Sequence, residues 1–470
     1  MSNDQLQPLS ESDAIFARAY ASAIKAKFQI DVGEHFCILT SPVTRRGMAA
    51  GDLTAPQITN HLIYTLADTL LYADNPIYTG VSAGSYIQQL RSYMDWIKPP
   101  SNPPQAVVDE MAKARDEAIA ANANYFTVLS QAQDSFNRYK EIFYNHKFWQ
   151  WTPEHYPFLA DADRTRGSAQ TELLQVMQSY YGPDAATLST YIDNITNAQS
   201  STAFSGYNQD GLVNDQNLVT GVIQYLNRRS NPPSELVKQS TIRVPTYSIP
   251  TYASTVQSWI TDSRNGATRD EVITIDISQG RTTSWEDYGF KEVNGGGGSG
   301  FLPFCSADIY YNAWQWKTRT LRIRGREDSV SIQLAMLGVQ KFDIQPGEWD
   351  VPNIKALFPG RLPEAPEALT SKYAKVVSVL VGYDVELRLE FAPEIREEIN
   401  ILYEAVRKTK GRMNIFGFRV SARPGDYWYD RVETKFEDVQ WDKATGLMRL
   451  PANTGQVHPS ILGVVARRFD

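Results

Sequence analysis

Residues 103–147, PPQAVVDEMAKARDEAIAANANYFTVLSQAQDSFNRYKEIFYNHK, decide the reading of the first half of the chain. After Pro103-Pro104 there is no internal Gly or Pro, and from Val108 the positions Met111, Arg115, Ala118, Asn122, Tyr125, Leu129, Ala132, Phe136, Tyr139 and Phe143 follow at steps of three and four. That is a heptad seam, and it predicts one helix about 65 Å long at 1.5 Å per residue. Arg115 and Asn122 interrupt the apolar seam one heptad apart. A polar residue at such a position either fixes the register of packed helices or marks a part of the seam left uncovered.

Helices are expected on either side of it. Residues 11–30 place Phe16, Ala17, Tyr20 and Ile24 at helical spacing, residues 57–72 repeat Ile58, Leu62, Leu66 and Leu70, and Ser85 opens a third helix closed by Pro99-Pro100. Beyond the long helix, residues 160–181 and 184–199 carry stripes of their own, with Ala169, Leu173, Val176 and Tyr180 in the first. A return segment that matches the seam predicts an elongated helical hairpin within a bundle. A final helix is expected near 216–228.

Past about residue 240 the period changes from 3.6 to 2. Val272–Ile277, Leu321–Arg324 and Val330–Met336 alternate apolar and polar residues, and further strands are expected at Lys341–Ile344, Tyr373–Leu380, Val385–Phe391, Met413–Val420, Glu433–Trp441, Gly446–Leu450 and Ile461–Arg468. Residues 442–446 suit a hairpin turn, and Lys372–Phe391 suits two strands about Gly382-Tyr383-Asp384. One helix interrupts the set, with Pro393 at its start, acids early, lysines late and Gly411 after its end. The fold class is therefore α+β: a helical bundle domain over 1–235, followed by a β-sandwich-like domain over 236–470 containing one helix.

The chemistry is sparse. The chain has 470 residues, 46 basic and 53 acidic, a net charge of −7, and no Lys/Arg cluster of the kind nucleic acid requires. Cys37 and Cys305 lie far apart, the first residues are polar, and no run approaches the 18 or so apolar residues of a spanning helix. The expectation is a reduced, cytoplasmic protein without structural disulfides, and Asn194-Ile195-Thr196 reads as an unused glycosylation pattern.

The five histidines show no metal spacing, and no metal or cofactor is expected. Asp161 and Asp163 fit helix N-terminal charge better than a divalent-ion site. Cys37 near His35 reads as a buried thiol before it reads as a nucleophile. Residues 294–300, NGGGGSG, read as a surface loop, since neither a Lys-Ser/Thr pair nor a strand-to-helix context makes them a phosphate loop.

Two groups of aromatics remain. Trp149, Trp151, Tyr156 and Phe158 crowd the far end of the long helix, where Trp and Tyr would suit a membrane–water boundary or a partner. The competing reading packs them against neighbouring helices or the β half. Trp314 and Trp316 are candidates to line an apolar pocket at the helical/β junction.

The plan of a long-helix bundle followed by a β domain resembles the α-helical pore-forming and insecticidal-crystal-type toxins. Residues 342–349, FDIQPGEW, are similar to stretches in toxin-like proteins of filamentous fungi. The resemblance implies assembly by the helical part, recognition of a lipid membrane, a glycan or a protein receptor by the β part, and homo-oligomers. Two other classes stay open: an intracellular enzyme of secondary metabolism with an aromatic pocket at the junction, and a self-associating structural protein.

Overall fold

The computed structural model describes residues 11–32, 35–39, 46–52, 54–78, 82–140, 147–212, 234–291, 293, 305–312, 315–320, 327–416, 418–421, 433–452 and 457–469. Helices dominate the first half and antiparallel sheets the second, so the fold is α+β.

The first half contains α1 (Glu11–Phe28), β1 (His35–Leu39), α2 (Pro56–Ala67), β2 (Leu70–Tyr72) and α3 (Tyr86–Asp95). It continues with α4 (Gln105–Lys140), α5 (Phe148–His155), α6 (Phe158–Tyr181), α7 (Ala185–Ala198) and β3 (Asn208–Leu212). The long helix starts where expected: the Pro104 carbonyl accepts from the amides of Val107 and Val108. Its seam is real, with Met111, Arg115, Ala118, Tyr125, Ala132 and Phe136 all buried. Phe143 and the helix expected at 216–228 lie outside the described residues.

Helix α6 runs back along α4. Arg166 of α6 lies over the Tyr125 ring, 3.8 Å from its centroid, and Tyr156, just before α6, donates to Gln131 at 3.2 Å. Arg115 is covered rather than free. Its guanidinium sits 3.7 Å from the centroid of Trp96 at the end of α3, so the polar seam position is filled by a cation–π contact.

The helix expected at 57–72 stops at Ala67, and Leu70–Tyr72 form a strand instead. The four-residue repeat continues through Leu70, but Asp68 ends the helix, and Leu70 and Leu71 are buried by pairing β2 with a strand from the far end of the chain.

In the second half come β4 (Thr241–Pro245), β5 (Tyr247–Ser248), β6 (Glu271–Ile275), β7 (Cys305–Asn312), β8 (Gln315–Thr320) and β9 (Val330–Met336). Then follow β10 (Gly338–Asp343), β11 (Gln345–Pro346), β12 (Tyr373–Tyr383), β13 (Glu386–Phe391), β14 (Arg412–Ile415) and β15 (Phe418–Ser421). The last strands are β16 (Glu433–Lys435), β17 (Gln440–Asp442), β18 (Leu447–Pro451) and β19 (Ser460–Arg468).

Three five-stranded sheets result: β1-β19-β12-β10 with β2 also on β12, then β17-β18-β13-β9-β6, and β16-β15-β14-β7-β8. The pairing is antiparallel except between β15 and β16.

The two strands about Gly382–Asp384 form, but they do not make a hairpin. β12 pairs with β10 and β13 with β9, and the two ladders share one register, Gly338↔Tyr383 and Ala335↔Glu386. Residues 330–343 and 378–391 are thus a single ribbon, bent at Leu337 and Asp384, that serves two sheets. Asp384 takes a left-handed φ of 51°, and Arg269 holds the bend by donating to its carbonyl at 2.9 Å and its carboxylate at 2.8 Å.

Met413–Val420, expected as one strand, is a hairpin in which Ile415 faces Phe418 across a turn where Phe416 has φ 48°. The turn at 442–446 does form a hairpin, with Asp442 accepting from Ala444 N at 2.9 Å.

The β-rich half holds more than one helix. Pro393–Thr409 is joined by Tyr252–Arg264, which buries Tyr252, Val256 and Ile260, and by three short ones, Ser234–Gln239, Ile277–Thr282 and Ile354–Leu357. The 252–264 stripe keeps a four-residue step, but Ser and Thr between the apolar positions mask it. The halves also interleave: β1 and β2 pair with β19 and β12, and α1 packs on β6 and the 277–282 helix.

Candidate functional site

Where α2, the start of α3, the middle of α4 and the antiparallel pair β3–β4 meet, they border a half-open cavity of about 440 Å³. Phe126, Leu129 and Gln133 face it from α4, and Ile242 and Val244 from β4. Helix α2 supplies His61, Tyr64 and Thr65, and Asp68 follows at its C-cap. The spacing of three, one and three residues puts all four on one side of the helix.

His61 is 6% exposed, and its Nδ1 has no hydrogen-bond partner among the described residues. Burial holds the imidazole down to about 4, so it is neutral at physiological pH. Asp68 is the opposite case. Burial pushes its carboxyl up to about 6, against the pull of hydrogen bonds from the Ser85 hydroxyl at 2.5 Å, the Ile87 amide at 3.0 Å and the Tyr247 hydroxyl at 3.0 Å. Ser85 also caps α3, so the Asp68 carboxylate ties the end of one helix to the beginning of the next.

From Asp68 an unbroken chain of aromatic and polar groups runs to the sheet. Tyr247 meets Trp349 edge-to-face at 5.2 Å, Trp349 donates to the Thr246 carbonyl at 3.1 Å, and Tyr86 lies 6.0 Å beyond it. The Tyr86 hydroxyl donates to Asp350 at 2.6 Å, and Lys375 Nζ reaches Asp350 at 3.3 Å and the Tyr86 oxygen at 3.2 Å. Burial lowers the Lys375 ammonium, while Asp350 opposes the shift. A lysine and an aspartate taken out of water together persist because each satisfies the other.

The aromatic tip splits. Trp151 is 3% exposed and packs on Phe136 at 5.5 Å, Tyr139 at 5.5 Å and His155 at 5.5 Å. Trp149 and Tyr156 are half-buried, and Phe158 is 66% exposed. Helix α5 also touches β4, so this cluster adjoins the strand pair that walls the cavity. Trp316 lies on β8 with its backbone opposite Tyr310, while Trp314 and the glycine-rich 294–300 lie outside the described residues.

Among the described residues no group of three His, Cys, Asp or Glu is placed to hold a metal ion. Asp161 and Asp163 pair with Arg164 and Arg166 on their own turn of α6. Cys37 is buried, and burial pushes its thiol up to about 12, which keeps it protonated and a poor nucleophile. Among the described residues no helix is long and apolar enough to cross a membrane.

Sequence reading missed His61, Asp68, Tyr247, Asp350 and Lys375. The α2 set was detectable as polar residues recurring at helical spacing; the other three converge only through the fold. Comparison with protein-family models, with curated proteins and with solved structures found no match.

Proposed function

We propose that the protein binds a small, uncharged ligand bearing hydroxyl or amide groups in the cavity between the helices and the β3–β4 pair. The observation that supports this most is His61: a buried, neutral imidazole with an unpartnered Nδ1, at the wall of a 440 Å³ space. An orphaned buried polar atom costs about 1–3 kcal/mol, which a ligand hydroxyl would recover. Phe126 and Leu129 offer the apolar side of the site, and Ser85 and Gln133 its rim of polar groups.

Saturation-transfer NMR with a panel of neutral polyols and amides tests the reading. Binders should lose their signal with Gln133→Trp, which fills the cavity; an equal response from that variant, or no binder at all, overturns it.

A second reading is membrane action in the manner of the helical toxins, with α4–α6 assembling into oligomers and the β part recognising lipid, glycan or protein. It is favoured by the exposed Phe158 at the turn of a long amphipathic hairpin. Dye leakage from liposomes together with oligomers on size-exclusion chromatography supports it, and a protein that neither binds nor permeabilises vesicles overturns it.

A further inference from the structure

The registers of the first sheet place His35, Arg467 and Lys375 in one row across β1, β19 and β12: His35 is opposite Arg467, and Arg467 is opposite Lys375. Directly opposed residues share a face, and like charges there repel. The Arg467 guanidinium indeed disfavours the charged form of Lys375. Asp350 is committed to Lys375 and Tyr86.

The other cations nearby have partners of their own. Lys355 donates to the Leu369 and Phe469 carbonyls at 3.2 and 3.0 Å, and Arg468 to the Ala73 carbonyl at 3.3 Å while lying over Phe36. Among the described residues the Arg467 side chain makes no hydrogen bond or ion pair.

Beside it lies a cavity of about 260 Å³, lined among the described residues by Tyr86, Asn353, Lys355, Arg467, Arg468 and Phe469 with short apolar neighbours and no carboxylate. Among the described residues the wall of this space thus carries Lys355, Arg467 and Arg468 and no acidic side chain. A space of that size accommodates a phosphate group with a short carbon chain.

We propose that this cavity is a binding site for a small phosphate-bearing anion, with Arg467 as its principal contact and Lys355 and Arg468 supplying further positive charge. A guanidinium fork matches two phosphate oxygens at once, and its partly buried position limits screening by salt. The site is separate from the junction cavity, and Tyr86 stands between this site and the Trp349–Tyr247–Asp68 chain.

Inorganic phosphate is the probe. Calorimetric titration of the full chain at constant ionic strength, with chloride as reference ion, should show saturable binding that weakens at least tenfold in Arg467→Gln and is partly kept in Arg467→Lys. Because Arg467→Gln removes a like-charge pair, it should melt at or above the wild type without phosphate. Vesicles of phosphatidylcholine with and without phosphatidic acid separate the sources. Phosphate-dependent binding in solution alone assigns a soluble ligand, and capture by phosphatidic acid that Arg467→Gln abolishes assigns a lipid headgroup; both support the site. If phosphate neither binds nor stabilises the wild type beyond chloride, or binds Arg467→Gln equally, the proposal is overturned.

Discussion

Replacing Trp151 by alanine separates an aromatic tip that is core from one that is a contact surface. The indole is 3% exposed, with Phe136 and Tyr139 against it and the His155 ring stacked at an interplanar angle of 3°. Truncating a buried Trp costs about 3–5 kcal/mol, and the aromatic pairs add about 0.5–1.5 kcal/mol beyond the buried area. Against this, Trp151 Nε1 is buried without an acceptor among the described residues, and losing an unmet donor returns about 1–3 kcal/mol.

The net expectation for Trp151→Ala is a loss of about 3 kcal/mol in equilibrium urea unfolding. Trp151→Phe keeps most of the ring contact and removes the unmet donor, so it should lie within about 1 kcal/mol of wild type. A Trp151→Ala protein with an unchanged unfolding midpoint would refute the packing argument. Equal losses in the two variants would refute the account of the indole nitrogen.

Acid unfolding should follow His61, His458 and Asp68 jointly. Both histidines are held down to about 4 by burial, so the stability they confer is complete above their unfolded value near 6.5 and is lost as pH falls through 4, about 3 kcal/mol each. Asp68, raised to about 6, acts in reverse: its contribution is complete below about 3.8 and is lost as pH rises through 6, again about 3 kcal/mol. Between pH 6.5 and 4 the three together should cost about 3 kcal/mol, and Asp68→Asn should roughly double that loss; an unaltered acid limb in this variant would count against the assignment. Gly280→Ala should destabilise by several kcal/mol, since a Cβ there would strike the Ile15 carbonyl of α1, whose Arg18 donates to the Gly280 carbonyl at 2.8 Å. Retained thermal stability would show that α1 can move off the 277–282 helix.

The long helix, its return partner and the strand-rich second half were legible because each rests on local periodicity. The seam from Met111 to Phe136 announces its buried face without knowledge of a partner. What escaped depends on partners remote in sequence. His35–Leu39 is too short and mixed to read as a strand, and becomes one because β19 offers it an edge more than 400 residues away in sequence. Asp68 looks like an ordinary helix-terminal acid until Ser85 and Tyr247 converge on it. Lys372–Phe391 has the pattern of two strands, but no local feature distinguishes a chain that turns back from one that bends into a second sheet. That choice is made at Asp384 by Arg269, 115 residues earlier.

The interleaving of the halves limits how the helical part can move. Strand β1 pairs with β19 over five residues and β2 with β12 over three, and Tyr20 of α1 donates to the Leu462 carbonyl at 3.0 Å in the middle of the sheet. Unzipping them would expose a ladder of backbone groups and the buried Phe36, Ile38, Leu70 and Leu71 together. At a net of about 0.5–1.5 kcal/mol for each hydrogen bond given up to water and about 1.5–3 kcal/mol for each apolar side chain exposed, that rivals the whole stability of a domain. Residues 105–198 are held differently: among the described residues α4 packs chiefly on α6, and the contacts with the rest include those of α7 with α3 and of α5 with β4. A rearrangement of the toxin kind would therefore be confined to α4–α7, pivoting where Arg115 lies on Trp96 and Arg91 reaches Gln170 and Thr196. Such a swing would also open the junction cavity, because Phe126, Leu129 and Gln133 belong to the part that leaves while His61 and Asp68 belong to the part that stays. A ligand in that cavity would bind both parts at once and hold the hairpin closed, so the two proposed functions make opposite demands on the same contact: occupancy should suppress any release of the hairpin.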